Sequence, residues 1–189
     1  MDNKLRIINF LGKIKEQFTM HELSKLLKIP YATFYRTIQT MPDILTKKKA
    51  GKANLIQLNK RNPILKHFLI ISSNEEKDEY LKKQPLIRKI TDELPIGQYT
   101  VILFGSYAKC THTPKSDIDL LVINKKGERK PDFSRYEILF KITINPIYVT
   151  KKEFITMLKE EEENVAKQAL KNNIILYNLE MFWNLAYEL

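Results

Sequence analysis

Two carboxylates one residue apart, Asp117 and Asp119, open the apolar run Leu120-Leu121-Val122. Side chains at i and i+2 of a strand leave the same face. The pair therefore points one way, about 7 Å apart along the strand, which suits shared ligation of a hard divalent cation. Mg²⁺ takes oxygen ligands and keeps water and phosphate oxygens for the remainder. Twelve residues before Asp117, Gly105-Ser106 follows the apolar run Val101–Phe104. A glycine after a buried strand lets a phosphate approach backbone that a Cβ would shield. A helix starting there offers unpaired N–H groups to an anion, and Ser106 adds a hydroxyl. Cation ligands beside a phosphate cradle point to a nucleoside triphosphate bound with Mg²⁺ or Mn²⁺.

The stretch Leu103–Asn124 must position these groups: strand, Gly-Ser turn, short helix, turn, strand. Gly-Ser, ten residues, then Asp-x-Asp and Leu-Leu-Val resembles the signature of minimal nucleotidyltransferases of the DNA polymerase β-like superfamily, and Ser116–Val122 (SDIDLLV) is close to that family's wording. The resemblance covers about residues 99–148. It implies a small mixed sheet with flanking helices, metal at Asp117 and Asp119, and nucleotide held by Gly105, Ser106 and Ser116. It also implies an NTP substrate, ATP being the expected one. The family often has Gly where this chain has Cys110 and Arg where it has Lys109. Its active members carry a further acid on a neighbouring strand, which helps hold a second metal and deprotonates the attacking hydroxyl. The matching stretch here, Ile142–Val149, has none, and Asn145 stands at the third-carboxylate position. An amide can ligate weakly but cannot serve as a general base at neutral pH. Glu137 and Asp132 are the acids of the preceding segment. Metal–nucleotide binding is therefore better supported than transfer.

The charge is divided unevenly. Of 189 residues, the first 70 hold 14 basic and 4 acidic side chains, and the rest hold 18 of each. The whole net charge of +10 thus belongs to the first segment, which argues for two domains and an anionic partner of the first. The single cysteine excludes an internal disulfide. With no signal peptide and no eighteen-residue apolar run, the reading is a soluble cytoplasmic protein without a membrane partner. Cys110 with His112 lacks a third ligand, so zinc is not supported.

Residues 2–17 have helical spacing at Leu5, Ile8, Leu11 and Ile14. Thr19 and Glu22 form a capping box for a helix over 20–28. Ile29-Pro30 breaks the chain before a third helix, 31–41. Two short strands follow, Ile44–Thr46 and Asn54–Leu58, around a Lys-rich tip. Residues 1–60 resemble a winged helix-turn-helix DNA-binding domain. In that reading Tyr31, Thr33, Tyr35, Arg36, Thr37 and Gln39 face the major groove, and Lys47, Lys48, Lys49 and Lys52 meet phosphates. Paired half-sites then predict a homodimer on double-stranded DNA.

Residues 61–95 read as a helical connector of two helices interrupted at Ser72-Ser73-Asn74, with Pro85 near the start of a further one. Residues 96–189 read as the nucleotidyltransferase-like domain. Asn145-Pro146 marks its third strand as an edge or bulged strand, and Phe133–Phe140 fits helix or strand. Thr150 and Glu153 form a second capping box, and Val165–Tyr177 and Met181–Leu189 are expected as helices. The fold class is α/β (α+β): a winged helix-turn-helix, then a small mixed sheet with a helical C-terminus.

The leading functional reading is a DNA-binding regulator whose second domain transfers a nucleoside monophosphate to a hydroxyl. The acceptor could be a protein, as for the similar antitoxin nucleotidyltransferases. The alternative is a catalytically inactive domain that senses nucleotide or dimerises within a winged-helix transcription regulator. A third reading makes residues 1–60 the nucleic-acid grip of a tailing enzyme.

Overall fold

The computed structural model describes residues 1–14, 16–51 and 53–187. Lys52, expected at the tip of the basic hairpin, lies outside the described residues. The chain divides into two compact units, Met1–Glu75 and Glu76–Leu189.

The first unit opens with α1 (Asn3–Lys13), four residues shorter at its end than the spacing predicts; the backbone is already extended at Ile14. A two-residue strand, β1 (Phe18–Thr19), leads into α2 (Met20–Leu26). The capping box forms as expected: Glu22 N–H donates to Thr19 Oγ1 (3.2 Å), and Thr19 N–H donates to Glu22 Oε2 (2.8 Å). Lys28, at φ +53°, ends the turn after α2, and Pro30 caps α3 (Tyr31–Gln39). Then β2 (Leu45–Ala50) and β3 (Ala53–Leu58) form an antiparallel hairpin, and the sheet order is β1-β3-β2. The inner stripe of α3, Phe34 and Ile38, is buried with Ile7, Ile8, Leu23 and Ile56.

Helix α4 (Leu65–Lys83) runs unbroken through Ser72-Ser73-Asn74, where an interruption was expected. Both serines are buried and bonded: Ser72 Oγ donates to Leu69 O (3.0 Å) and Ser73 Oγ to Asn9 Oδ1 (3.2 Å). A serine that finds such partners no longer competes for the helical backbone.

The second unit is built on a four-stranded sheet of order β6-β5-β4-β7: β4 (Tyr99–Phe104), β5 (Ile118–Asn124), β6 (Ile144–Thr150) and β7 (Ile174–Tyr177). β4 is antiparallel to β5 and β7, while β5 and β6 run parallel. All six residues of β4 are buried, as a central strand covered on both faces requires. On one face Val101, Leu103, Leu120 and Val122 pack with Ile87 and Ile90 of α5 (Pro85–Asp92). The opposite face is covered by α8 (Lys151–Lys159), α9 (Val165–Lys171) and α10 (Leu179–Tyr187). Their buried side chains include Phe154, Ala166, Ala169, Phe182 and Trp183.

β6 lies at the sheet edge, as Asn145-Pro146 implied. Phe133–Phe140 resolves as helix, α7 (Ser134–Phe140). The second capping box also forms, Glu153 N–H donating to Thr150 Oγ1 at 3.1 Å. Residues 165–177, expected as one helix, divide into α9 and strand β7. The reason lies at Asn172-Asn173: the Asn173 side chain donates to the carbonyls of Ala169 and Leu170, closing the helix. The β-branched pair Ile174-Ile175 then continues in the sheet beside Leu103 and Ile102. No described helix is long and apolar enough to cross a membrane.

Candidate active site

The register of β4 on β5 pairs Phe104 with Asp119, so Gly105 begins where the first carboxylate strand is gripped. Gly105 sits at φ +71°, and a Cβ there would lie 2.1 Å from Asp119 Oδ2. Only glycine meets both conditions: the left-handed backbone, which other residues enter at a cost, and the carboxylate seated against its Cα. The glycine and the aspartate, read from sequence as two parts of one constellation, are thus in contact. Helix α6 (Gly105–Ala108) is a single turn, so little macrodipole develops and anion attraction there rests on backbone N–H groups.

The turn that delivers Asp117 is held by Ser116. Its N–H donates to Thr113 O (3.0 Å), and its hydroxyl accepts from Thr113 N–H (2.9 Å). Ser116, expected at the nucleotide, is engaged in this turn. Ser106 carries the α6 end: its carbonyl accepts from Thr111 N–H at 2.9 Å. Cys110 adopts φ +55°, a left-handed position that explains physically why glycine suits it. His112 stacks on Tyr107 with ring centroids 4.0 Å apart, and Tyr80 Oη donates to Tyr107 O (3.0 Å). Burial raises the Tyr80 pKa far above the usual phenol range, so that hydroxyl stays a donor.

Across the sheet, the parallel register sets Asn145 beside Asp119. Its amide donates to Asp117 Oδ2 at 3.2 Å. Asn145 therefore stands at both carboxylates. Burial raises the pKa of Asp119; Asn145 offsets part of the rise, and the neighbouring Asp117 charge adds to it. Such a carboxylate gains from a nearby cation. The other two acids considered for this corner are occupied elsewhere. Glu137 Oε1 accepts from Ile144 N–H (3.0 Å), and Asp132 Oδ1 from Ser134 N–H (3.1 Å). Among the described residues no group of three or more His, Cys, Asp or Glu could hold a metal. The donor set at Asp117, Asp119 and Asn145 is all oxygen-capable and exposed on one side, which fits a hard cation that keeps water and phosphate ligands.

The profile of the nucleotidyltransferase domain matches residues 84–177, from α5 to β7. A Methanocaldococcus jannaschii protein named "putative protein adenylyltransferase" is 37% identical over 71 residues, which is 34% of this chain and 71% of that protein. The chain belongs to the nucleotidyltransferase family. No solved structure matches it. The family match leaves the first unit of this nucleotidyltransferase uncovered.

In that first unit the residues expected to meet DNA fall on two surfaces. Tyr31, Thr33, Tyr35, Arg36 and Gln39 are exposed on α3, and Thr37 is half-buried with its hydroxyl turned back to Thr33 O (2.8 Å). Lys47, Lys48 and Lys49, expected at a loop tip, lie on β2 opposite Ile56, Leu55 and Asn54. Alternation sends Lys48 to the face opposite Lys47 and Lys49. Sequence reasoning missed the side chains of α9 that approach Gly105, because no motif marks them.

Proposed function

We propose that the second unit transfers a nucleoside monophosphate from an NTP to a hydroxyl acceptor, with pyrophosphate leaving. The observation that carries this reading is the contact of Gly105 with Asp119, which sets an unshielded backbone against a carboxylate pair. Asp117 and Asp119 hold the divalent cation, Mg²⁺ or Mn²⁺; bound there, it neutralises phosphate charge and orients the in-line displacement. Gly105 admits the phosphates, with Ser106 beside it. Asn145 can accept a hydrogen bond from an acceptor hydroxyl but cannot keep its proton. Deprotonation therefore falls to solvent, and transfer is slow compared with a site that has a carboxylate there. ATP as donor and a protein as acceptor are supported by the name of the archaeal relative.

The first unit is read as a winged helix-turn-helix on duplex DNA, with α3 in the major groove and the β2 lysines on phosphates. The helix–strand–helix–helix–hairpin order supports this, as does the excess of basic residues in the first 70. A homodimer on paired half-sites follows. Its affinity should fall steeply with salt through counterion release; salt-insensitive binding, or none to any duplex, sinks the DNA claim.

The test of transfer is incubation with α-labelled ATP, Mg²⁺ or Mn²⁺, and acceptor lysate. Label on a macromolecule, lost in Asp117→Ala, supports the enzyme. Asn145 favours a second reading, a nucleotide sensor in a transcription regulator. ATP binding without any label transfer is its signature.

A further inference from the structure

Beside Gly105 a cavity of about 300 Å³ opens between the end of β4 and helix α9. Phe104 and Gly105 form its floor. Lys109 lines one wall, and Gln168, Lys171 and Asn172 line the other, with Glu163 at the entry to α9. These α9 positions are spaced i, i+3, i+4 and so share one helix face. The opposite face, Ala166, Ala169 and Leu170, is buried on the sheet. The even positions of β4 and the odd positions of β5 share that sheet face, so α9 and Asp119 are on the same side.

We infer that this cavity receives the β- and γ-phosphates of the nucleoside triphosphate, and that Lys171 of α9 is a binding residue for them. The inference rests on the proposed nucleotidyl transfer and extends it to a helix outside the motif. Three observations converge. The cavity adjoins the one backbone position that is bare of side chain next to the carboxylates. Two lysines face it against a single acid, and the two carboxamides supply further donors for phosphate oxygens. The volume lies at the floor of the roughly 300–1,000 Å³ typical of ligand pockets, which suits two phosphates and not a whole nucleotide.

Calorimetry with Mg²⁺ and three probes, ATP, AMP and inorganic tripolyphosphate, tests it. Lys171→Ala should weaken ATP and tripolyphosphate about tenfold or more, the loss of one charged hydrogen bond, and leave AMP unchanged. Lys171→Arg should restore most of the loss. Lys171 is exposed, so an unchanged melting curve is expected to exclude unfolding. Unaltered ATP affinity in Lys171→Ala, or equal losses for ATP and AMP, overturns the inference. If Asp117→Ala meanwhile abolishes ATP binding, the transfer reading survives that failure. If the wild-type protein binds no ATP at all, both fall.

Discussion

Replacing Asn145 by aspartate adds a third carboxylate where the amide now donates to Asp117 Oδ2 at 3.2 Å. Without metal, an attractive contact becomes a repulsive one. Two unit charges 4 Å apart interact by about 1 kcal/mol in water and about 4 kcal/mol at an effective dielectric of 20. Asp117 and Asn145 are exposed while Asp119 is half-buried, so a cost of about 1–2 kcal/mol is expected after solvent screening. For a unit of this size that lowers Tm by roughly 4–8 °C. Mg²⁺ should reverse the sign. A ligand held at a hundred times its Kd adds about 2.7 kcal/mol, and three carboxylates hold a divalent cation more tightly than two. The added acid can also take the acceptor proton, a role worth roughly 10²–10⁴-fold, so label transfer should rise by at least about tenfold. Thermal melts of Asn145→Asp and wild type, each in chelator and in Mg²⁺, are read beside labelled transfer. Equal melts in chelator, or the same deficit in both conditions, would refute the placement of Asn145 at the cation corner.

Gly105→Ala forces an L residue into a left-handed backbone, costing about 1–2 kcal/mol, and drives Asp119 from its seat. Transfer should fall about 100-fold, as for a misplacement near 1 Å; wild-type rate and Tm would contradict the contact. Tyr80→Phe strips the Tyr107 carbonyl of its donor, at about 1–3 kcal/mol, and a melt within error of wild type would show that bond to be idle. Glu153 has its pKa held below 4.5 by the Thr150 N–H and then the Thr150 hydroxyl. Its stabilisation is therefore complete above pH 4.5 and lost as pH falls through the lowered value. Glu153→Gln should melt earlier than wild type at pH 7, with the gap closing in acid; a gap constant across pH would count against the charged cap.

The site was legible where its parts are close in sequence. Gly105, Asp117 and Asp119 belong to one strand–turn–strand passage, and strand alternation alone puts both carboxylates on one face. Asn145 was legible as a departure from the family pattern, and the parallel register brings it to the place the missing acid would occupy. The cavity wall was not legible. Lys171 reaches Gly105 through helix packing across more than sixty residues of chain, and its spacing resembles any solvated helix face. Strand β7 was missed because Ile174–Tyr177 extends the apolar pattern of α9, and only the Asn173 side chain marks the stop. The buried serines of α4 were misread for a related reason: Asn9, the partner of Ser73, is 64 residues away.

The residue after Asn145 is Pro146. Asparagine ordinarily ages to aspartate when the next backbone nitrogen attacks its amide, and proline has no N–H with which to do so. The corner is thus shielded from the spontaneous chemistry that would turn it into a three-acid centre. Over the lifetime of the molecule its charge stays as translated, and only a change in the gene can alter it.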